Sequence, residues 1–262
     1  MFKNSNLKVN VSISDFPILS SMSKTFKQLK DIGADGVEIV SGLKTHWPFE
    51  SIKTISNKYH LPVKSIHQSI PSGLNIYFDK NFLKLSRDLN CNNFVVHPLP
   101  NISLKDKRSE IYFKKLAKIK RNLGIQILLE NLPKKYSVKM VDKLFSPNIE
   151  ACDPISIAKA AKKFGFKTTF DTSHFHHPEP HKLKWFKDIF PQISNIHLSS
   201  FDDKRSHLPL YMGDFRTKAF MSFLRKEHYK GIITLEIYYP KFISLTSLDF
   251  SVIEKSIKLI KY

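Results

Sequence analysis

The chain has 262 residues, 42% hydrophobic and 25% charged, and carries a net charge of +19. Its length suits one α/β barrel of about 250 residues, so a single domain over residues 1–262 is expected. No apolar run reaches the roughly 18 residues that span a bilayer, the opening MFKNSNLKVNVSIS lacks a signal-peptide core, and the two cysteines, Cys91 and Cys152, make no disulfide framework, so a cytoplasmic protein without a membrane partner is expected.

Short β-rich runs alternate with longer amphipathic ones along the whole chain. Strands are predicted at Val9–Ile13, Gly36–Val40, Val63–His67, Phe94–His97, Ile125–Glu130, Lys167–Asp171, Ile193–Leu198 and Ile232–Glu236. Between them, helical spacing predicts Met22–Asp31, Phe49–Tyr59, Phe82–Asn90, Arg108–Asn122, Ile155–Phe164, Leu183–Phe190, Phe215–His228 and Leu248–Lys261. Asp153-Pro154 offers an N-cap followed by proline at the first helical position, and Gly165 offers the stop. Strict βα alternation calls for parallel strands with helical crossovers. Eight units, with no Gly-rich dinucleotide fingerprint after the first strand, favour a closed (β/α)8 TIM barrel over an open doubly wound sheet. The longest connection, Asn131–Cys152, is expected to form a loop on the active face.

In such a barrel, chemistry sits at the C-terminal ends of the strands. Six consecutive predicted strands carry a metal-binding residue type there: His67, His97, Glu130, Asp171, His197 and Glu236. Two more histidines, His174 and His207, follow in the next loops. Charged groups at the ends of buried strands are costly unless paired or metal-bound. Carboxylate oxygen and neutral imidazole nitrogen together suit a divalent transition metal. Glu38, near the end of the second strand, reads as a structural residue or one that supports the ligands from behind, and is left out of the expected site.

The pattern resembles the xylose isomerase-like TIM barrel superfamily, which includes sugar and sugar-phosphate isomerases and epimerases and the endonuclease IV type of apurinic-site nuclease. The resemblance rests on GADGVEIV at 33–40, SIHQS at 65–69, FVVHP at 94–98 and LLENLP at 128–133. It continues with FDTSH at 170–174, NIHLS at 195–199, HLPLYMG at 207–213 and TLEIY at 234–238. It implies a metal quartet of Glu130, Asp171, His197 and Glu236, with the two glutamates also exchanging protons with the substrate. A divalent ion (Mn, Zn, Co, Fe or Mg) gripping a carbonyl and its neighbouring hydroxyl would acidify the C–H between them and stabilise an enediolate. A carboxylate on one face would remove the proton and another would return it.

The nuclease branch is the alternative. There the resemblance implies His67, His97 and Glu130 on one metal, the quartet on a second, and His174 and His207 on a third. The pattern departs at Arg205, which stands where that family has an aspartate, with Asp203 as a substitute only if the loop register differs. The loop after His67 also lacks a DNA-penetrating Tyr-Leu pair. The basic charge is mostly lysine; the arginines are Arg87, Arg108, Arg121, Arg205, Arg216 and Arg225, whereas bidentate phosphate contacts favour arginine. The expectation is a sugar or sugar-phosphate isomerase or epimerase with one metal and room for a second, with nucleic acid disfavoured as a partner. A non-catalytic metal- or sugar-binding barrel is the third reading. His174, Lys134, Lys135 and Arg205 are expected near the substrate.

Overall fold

Eight parallel strands close on themselves in chain order. They are β1 Val9–Ser14, β2 Gly36–Ser41, β3 Val63–Gln68, β4 Asn93–Val96, β5 Gln126–Glu130, β6 Lys167–Asp171, β7 Ile193–Leu198 and β8 Ile232–Leu235. The register between β1 and β8, with Val11 beside Leu235, completes the ring. The computed structural model describes residues 7–14, 22–41, 49–68, 86–99, 101–134, 148–238 and 249–262. The longer helices are α1 Met22–Asp31, α2 Phe49–Tyr59, α3 Lys107–Leu123, α5 Pro154–Phe164, α8 Thr217–Lys226 and α9 Phe250–Lys261. Shorter turns are α4 Ile149–Cys152, α6 Thr172–Phe175 and α7 Lys184–Ile189. None of the described helices is long and apolar enough to cross a membrane.

Local chemistry explains where the helices start and stop. Asp153 accepts hydrogen bonds from the Ile155 and Ser156 amides, Pro154 occupies the first position of α5, and Gly165 ends it with φ of 70°. Asp106 likewise caps α3 by accepting from Arg108 N. The helices bury one face each: Phe113 of α3 meets Phe164 and Phe166, with ring centroids 5.2 and 6.3 Å apart. Phe186, Phe220 and Phe223 make a second aromatic layer outside the barrel.

The barrel interior is polar as well as packed. Ser12, Glu38 and Ser65 stand side by side across β1, β2 and β3. Thr234 Oγ1 donates to Asn195 Oδ1 at 3.1 Å across β7 and β8. Strand pleating sends alternate residues inward, so these groups form a hydrophilic layer beneath the strand ends.

The predicted boundaries shift in a few places. His97 and Glu236 lie one residue beyond β4 and β8, and the Glu236 amide still donates to Leu198 O at 3.3 Å. The segment predicted as Leu183–Phe190 ends early because Pro191 lacks an amide proton, and a 3-10 turn at Phe190–Gln192 takes over. The expected loop Asn131–Cys152 contains the helical turn α4, capped by Asn148. The predicted Phe82–Asn90 helix is described only from residue 86, and its positions 86–88 are helical. Leu248 and Lys135 lie outside the described residues.

Candidate metal centre

The C-terminal ends of β5, β6 and β7, with the residue just past β8, bring four ligand types to one point. Glu130, Asp171, His197 and Glu236 are all buried, and one ligand atom from each lies within 4.8 Å of the others. His197 Nδ1 is 3.0 Å from Glu130 Oε1 and 2.8 Å from Glu236 Oε2. Asp171 divides its two oxygens between separate tasks. Oδ1 accepts from Ser173 N at 2.7 Å, His174 N at 2.9 Å and Ser173 Oγ at 2.9 Å, thereby capping α6. Oδ2 has no hydrogen-bond partner.

Three further groups adjoin the quartet, the first being Glu38 with His67 and His197. His67 and His97 bring their Nε2 atoms to 3.0 and 3.1 Å from Glu130 Oε2. That carboxylate therefore faces the quartet with one oxygen and the histidine pair with the other. His174 and His207 set their Nε2 atoms 3.2 Å apart, and with Asp171 they form another potential ligand group. His174 Nδ1 lies 2.8 Å from the carbonyl of Asn131. A carbonyl only accepts, so Nδ1 carries the proton and Nε2 is left as the free nitrogen. Asn131 also ties the end of β5 to β6, donating to Asp171 O at 3.2 Å and accepting from Asp171 N at 2.9 Å.

The electrostatics call for a cation. Glu38, Glu130, Asp171 and Glu236 are at most 3% exposed, and no described lysine or arginine pairs with them. Burial lowers the His197 imidazole, but Glu38, Glu130 and Glu236 outweigh it and hold the group well above the usual histidine range. The same contest leaves His67 raised, mainly by Glu130 against its burial. Burial prevails at His97, which is lowered. Burial raises the Glu130 and Glu236 carboxyls, yet the positive imidazole of His197 brings both well below the carboxylate range. Glu130 Oε2, Asp171 Oδ2 and Glu236 Oε2 are buried without an aligned hydrogen-bond donor. Buried oxygens of this kind need a partner, and carboxylates grouped with imidazole form the donor set of a divalent transition ion. The residues fit such an ion.

The match to the family model described as xylose isomerase-like TIM barrel spans residues 26–261. The chain belongs to that family. Among solved structures, this xylose isomerase-like barrel is similar to 3-keto-D-glucoside 4-epimerase from E. coli, at 13% identity and a TM-score of 0.70, covering 97% of this chain and 99% of that one. It is similar to D-allulose 3-epimerase from Methylomonas sp., solved with D-allulose, at 16% identity and a TM-score of 0.70, covering 99% and 98%. An AP endonuclease, family 2, from Brucella melitensis matches at 14% identity and a TM-score of 0.69, covering 88% and 93%. At these identities the likeness is one of fold. By sequence, no curated protein matches the chain.

All eight ligand-type residues expected from the sequence meet at one end of this barrel. Of the three expected cationic groups, the two that are described, Lys134 and Arg205, do not join them. Arg205 directs its guanidinium at Asp202, with Nε 2.9 Å from Oδ2. Lys134 is exposed four residues past Glu130, Asp203 is exposed on the β7 loop, and Lys135 lies outside the described residues. The sequence reading names Glu38 but leaves it outside the site, whereas its carboxylate contacts His197 Nε2 at 3.2 Å. It gives no role to Tyr238, whose hydroxyl donates to Glu236 Oε1 at 2.6 Å. A usable signal for Glu38 was a lone acid within an otherwise apolar strand, GVEIV.

Proposed function

We propose that this chain is a divalent-metal-dependent isomerase or epimerase of a small sugar or sugar phosphate. The observation that carries this reading is the placement of Glu130 and Glu236 on the same nitrogen of His197, each with an oxygen that has no aligned donor. Glu130, Asp171, His197 and Glu236 would hold the ion. When bound, the ion would polarise a carbonyl and its adjacent hydroxyl and so acidify the C–H between them. Glu130 and Glu236 are the groups that move the proton, one removing it and the other delivering it. Delivery to the neighbouring carbon isomerises the sugar, and delivery to the same carbon from the opposite side epimerises it. The Tyr238 hydroxyl fixes the orientation of the Glu236 carboxylate by donating to Oε1. His174, anchored through Nδ1, offers Nε2 to a substrate hydroxyl, and Lys134, Lys135 and Arg205 are the candidate contacts for a substrate phosphate.

The test is hydrogen isotope exchange. Incubation of the metal-loaded protein with a panel of ketoses, aldoses and their phosphates in heavy water should place deuterium at the reacting carbon. Glu130→Gln and Glu236→Gln should each abolish the exchange. A panel with no metal-dependent exchange overturns the reading.

One observation favours a second reading, a multinuclear nuclease of the endonuclease IV type. The His67–His97–Glu130 and Asp171–His174–His207 groups are both assembled beside the quartet. Asp171 completes the third group where the β7 loop carries Arg205. Specific incision of abasic duplex DNA, lost in Glu130→Ala, would place this reading first.

A further inference from the structure

Glu38 lies inside the barrel and is fully buried. Its strand neighbours on both sides are serines, and both donate to it: Ser65 Oγ to Oε2 at 2.7 Å and Ser12 Oγ to Oε1 at 3.2 Å. Two neutral hydroxyls fix the carboxylate but do not neutralise it. Its remaining capacity is aimed at imidazoles. Both oxygens lie 3.2 Å from His197 Nε2, and Oε1 lies 3.6 Å from His67 Nδ1, an electrostatic contact too long for a hydrogen bond.

We propose that Glu38 is the positioning residue of the metal centre, holding His197 with Nε2–H turned inward and Nδ1 turned to the ion. This rests on the metal-dependent reading above. A carboxylate only accepts, so the His197 nitrogen facing Glu38 carries a proton. With the ion bound beside Glu130 and Glu236, the ring would keep that Nε2 proton and turn the lone pair of Nδ1 to the ion. Toward His67 the same carboxylate makes only the 3.6 Å electrostatic contact with Nδ1. Carboxylates behind ligating histidines act in this way in general: they fix the tautomer and orientation and raise the basicity of the ring.

The geometry argues against Glu38 as a ligand of the quartet's ion. It faces the nitrogen of His197 opposite to the one that meets Glu130 and Glu236, so the ring stands between Glu38 and that group. Its hold should be stronger on His197, where hydrogen-bond distance is reached, than on His67.

The experiment uses the full chain, stripped with chelator and titrated with Zn2+ against a chromophoric competitor, with circular dichroism to verify folding. Glu38→Ala should weaken the tightest Zn2+ site by about 10–100-fold. Glu38→Gln should weaken it less, because its amide oxygen still accepts from Nε2–H. Ser65→Ala, which touches no ligand, should weaken it by a few-fold and keeps the idea testable if Glu38→Ala does not fold. Long-range 15N spectra of labelled histidines in the Zn2+-loaded protein should show His197 protonated at Nε2 in the wild type and lose that signature in Glu38→Ala. Wild-type affinity and an unchanged His197 signal in the folded Glu38 variants overturn the proposal, as does anomalous scattering that places the ion in bonding contact with Glu38. A wild-type chain that binds no divalent ion is a different result, because it sinks the functional reading and this inference with it.

Discussion

Asp171 performs two tasks with its two oxygens, and two substitutions should separate them. Asp171→Asn keeps an oxygen for the Ser173 and His174 amides and replaces only Oδ2, which has no hydrogen-bond partner. Asp171→Ala removes both functions. Losing the cap costs about 1 kcal/mol, and leaving buried amides unsatisfied costs about 1–3 kcal/mol more. With chelator present, Asp171→Ala should therefore melt well below wild type, at about 2–4 °C per kcal/mol, while Asp171→Asn stays close to it. Adding Zn2+ at about a hundred times the dissociation constant should stabilise wild type by about 2.7 kcal/mol, a rise of about 5–10 °C. If the lost anionic ligand weakens the site a hundredfold, the same Zn2+ concentration leaves only about 0.4 kcal/mol in Asp171→Asn. Thermal melts by circular dichroism, with and without Zn2+, read all of these values. The reasoning is refuted if Asp171→Asn keeps the full Zn2+ shift, or if it is as unstable as Asp171→Ala when chelated.

The remaining predictions address the basic charge, the thiol and one turn. Because lysine dominates the charge and Arg205 is engaged with Asp202, binding to abasic duplex DNA should be strongly salt-dependent and no tighter than binding to intact duplex; tight, abasic-specific binding at physiological salt in a gel-shift titration would contradict this. Burial pushes the Cys91 thiol up to about 12, so it should resist maleimide at neutral pH in the native protein and react once urea unfolds the chain, as mass spectrometry of the labelled peptide would show. Gly213 has φ of 70°, and a Cβ there would overlap the carbonyl of Phe201. Gly213→Ala should cost at least about 2 kcal/mol in urea unfolding, from left-handed strain plus steric overlap, and a neutral result would mean that the β7 loop relaxes freely.

Much of the architecture was legible along the chain because its signals are local. Each strand is a short apolar run, each crossover an amphipathic helix, and caps such as Asp153-Pro154 with Gly165 act within a few residues. The ligand types were legible for the same reason: a parallel barrel delivers every strand end to one face, so His67, His97, Glu130, Asp171, His197 and Glu236 had to converge once the strands were assigned. The tertiary structure decided which atoms meet. Glu38 sits within its strand and is separated from His197 by 159 positions; only closure of the ring sets the two across one interior. The division of labour between the oxygens of Asp171 depends on α6 starting immediately after β6. Arg205, which stands where the resemblance to the nuclease branch implies an aspartate, folds back onto Asp202 within its own loop, and Asp171 groups with His174 and His207. Residue type and order follow from local physics, whereas the choice of partner at a buried site depends on distances that exist only once the barrel has closed.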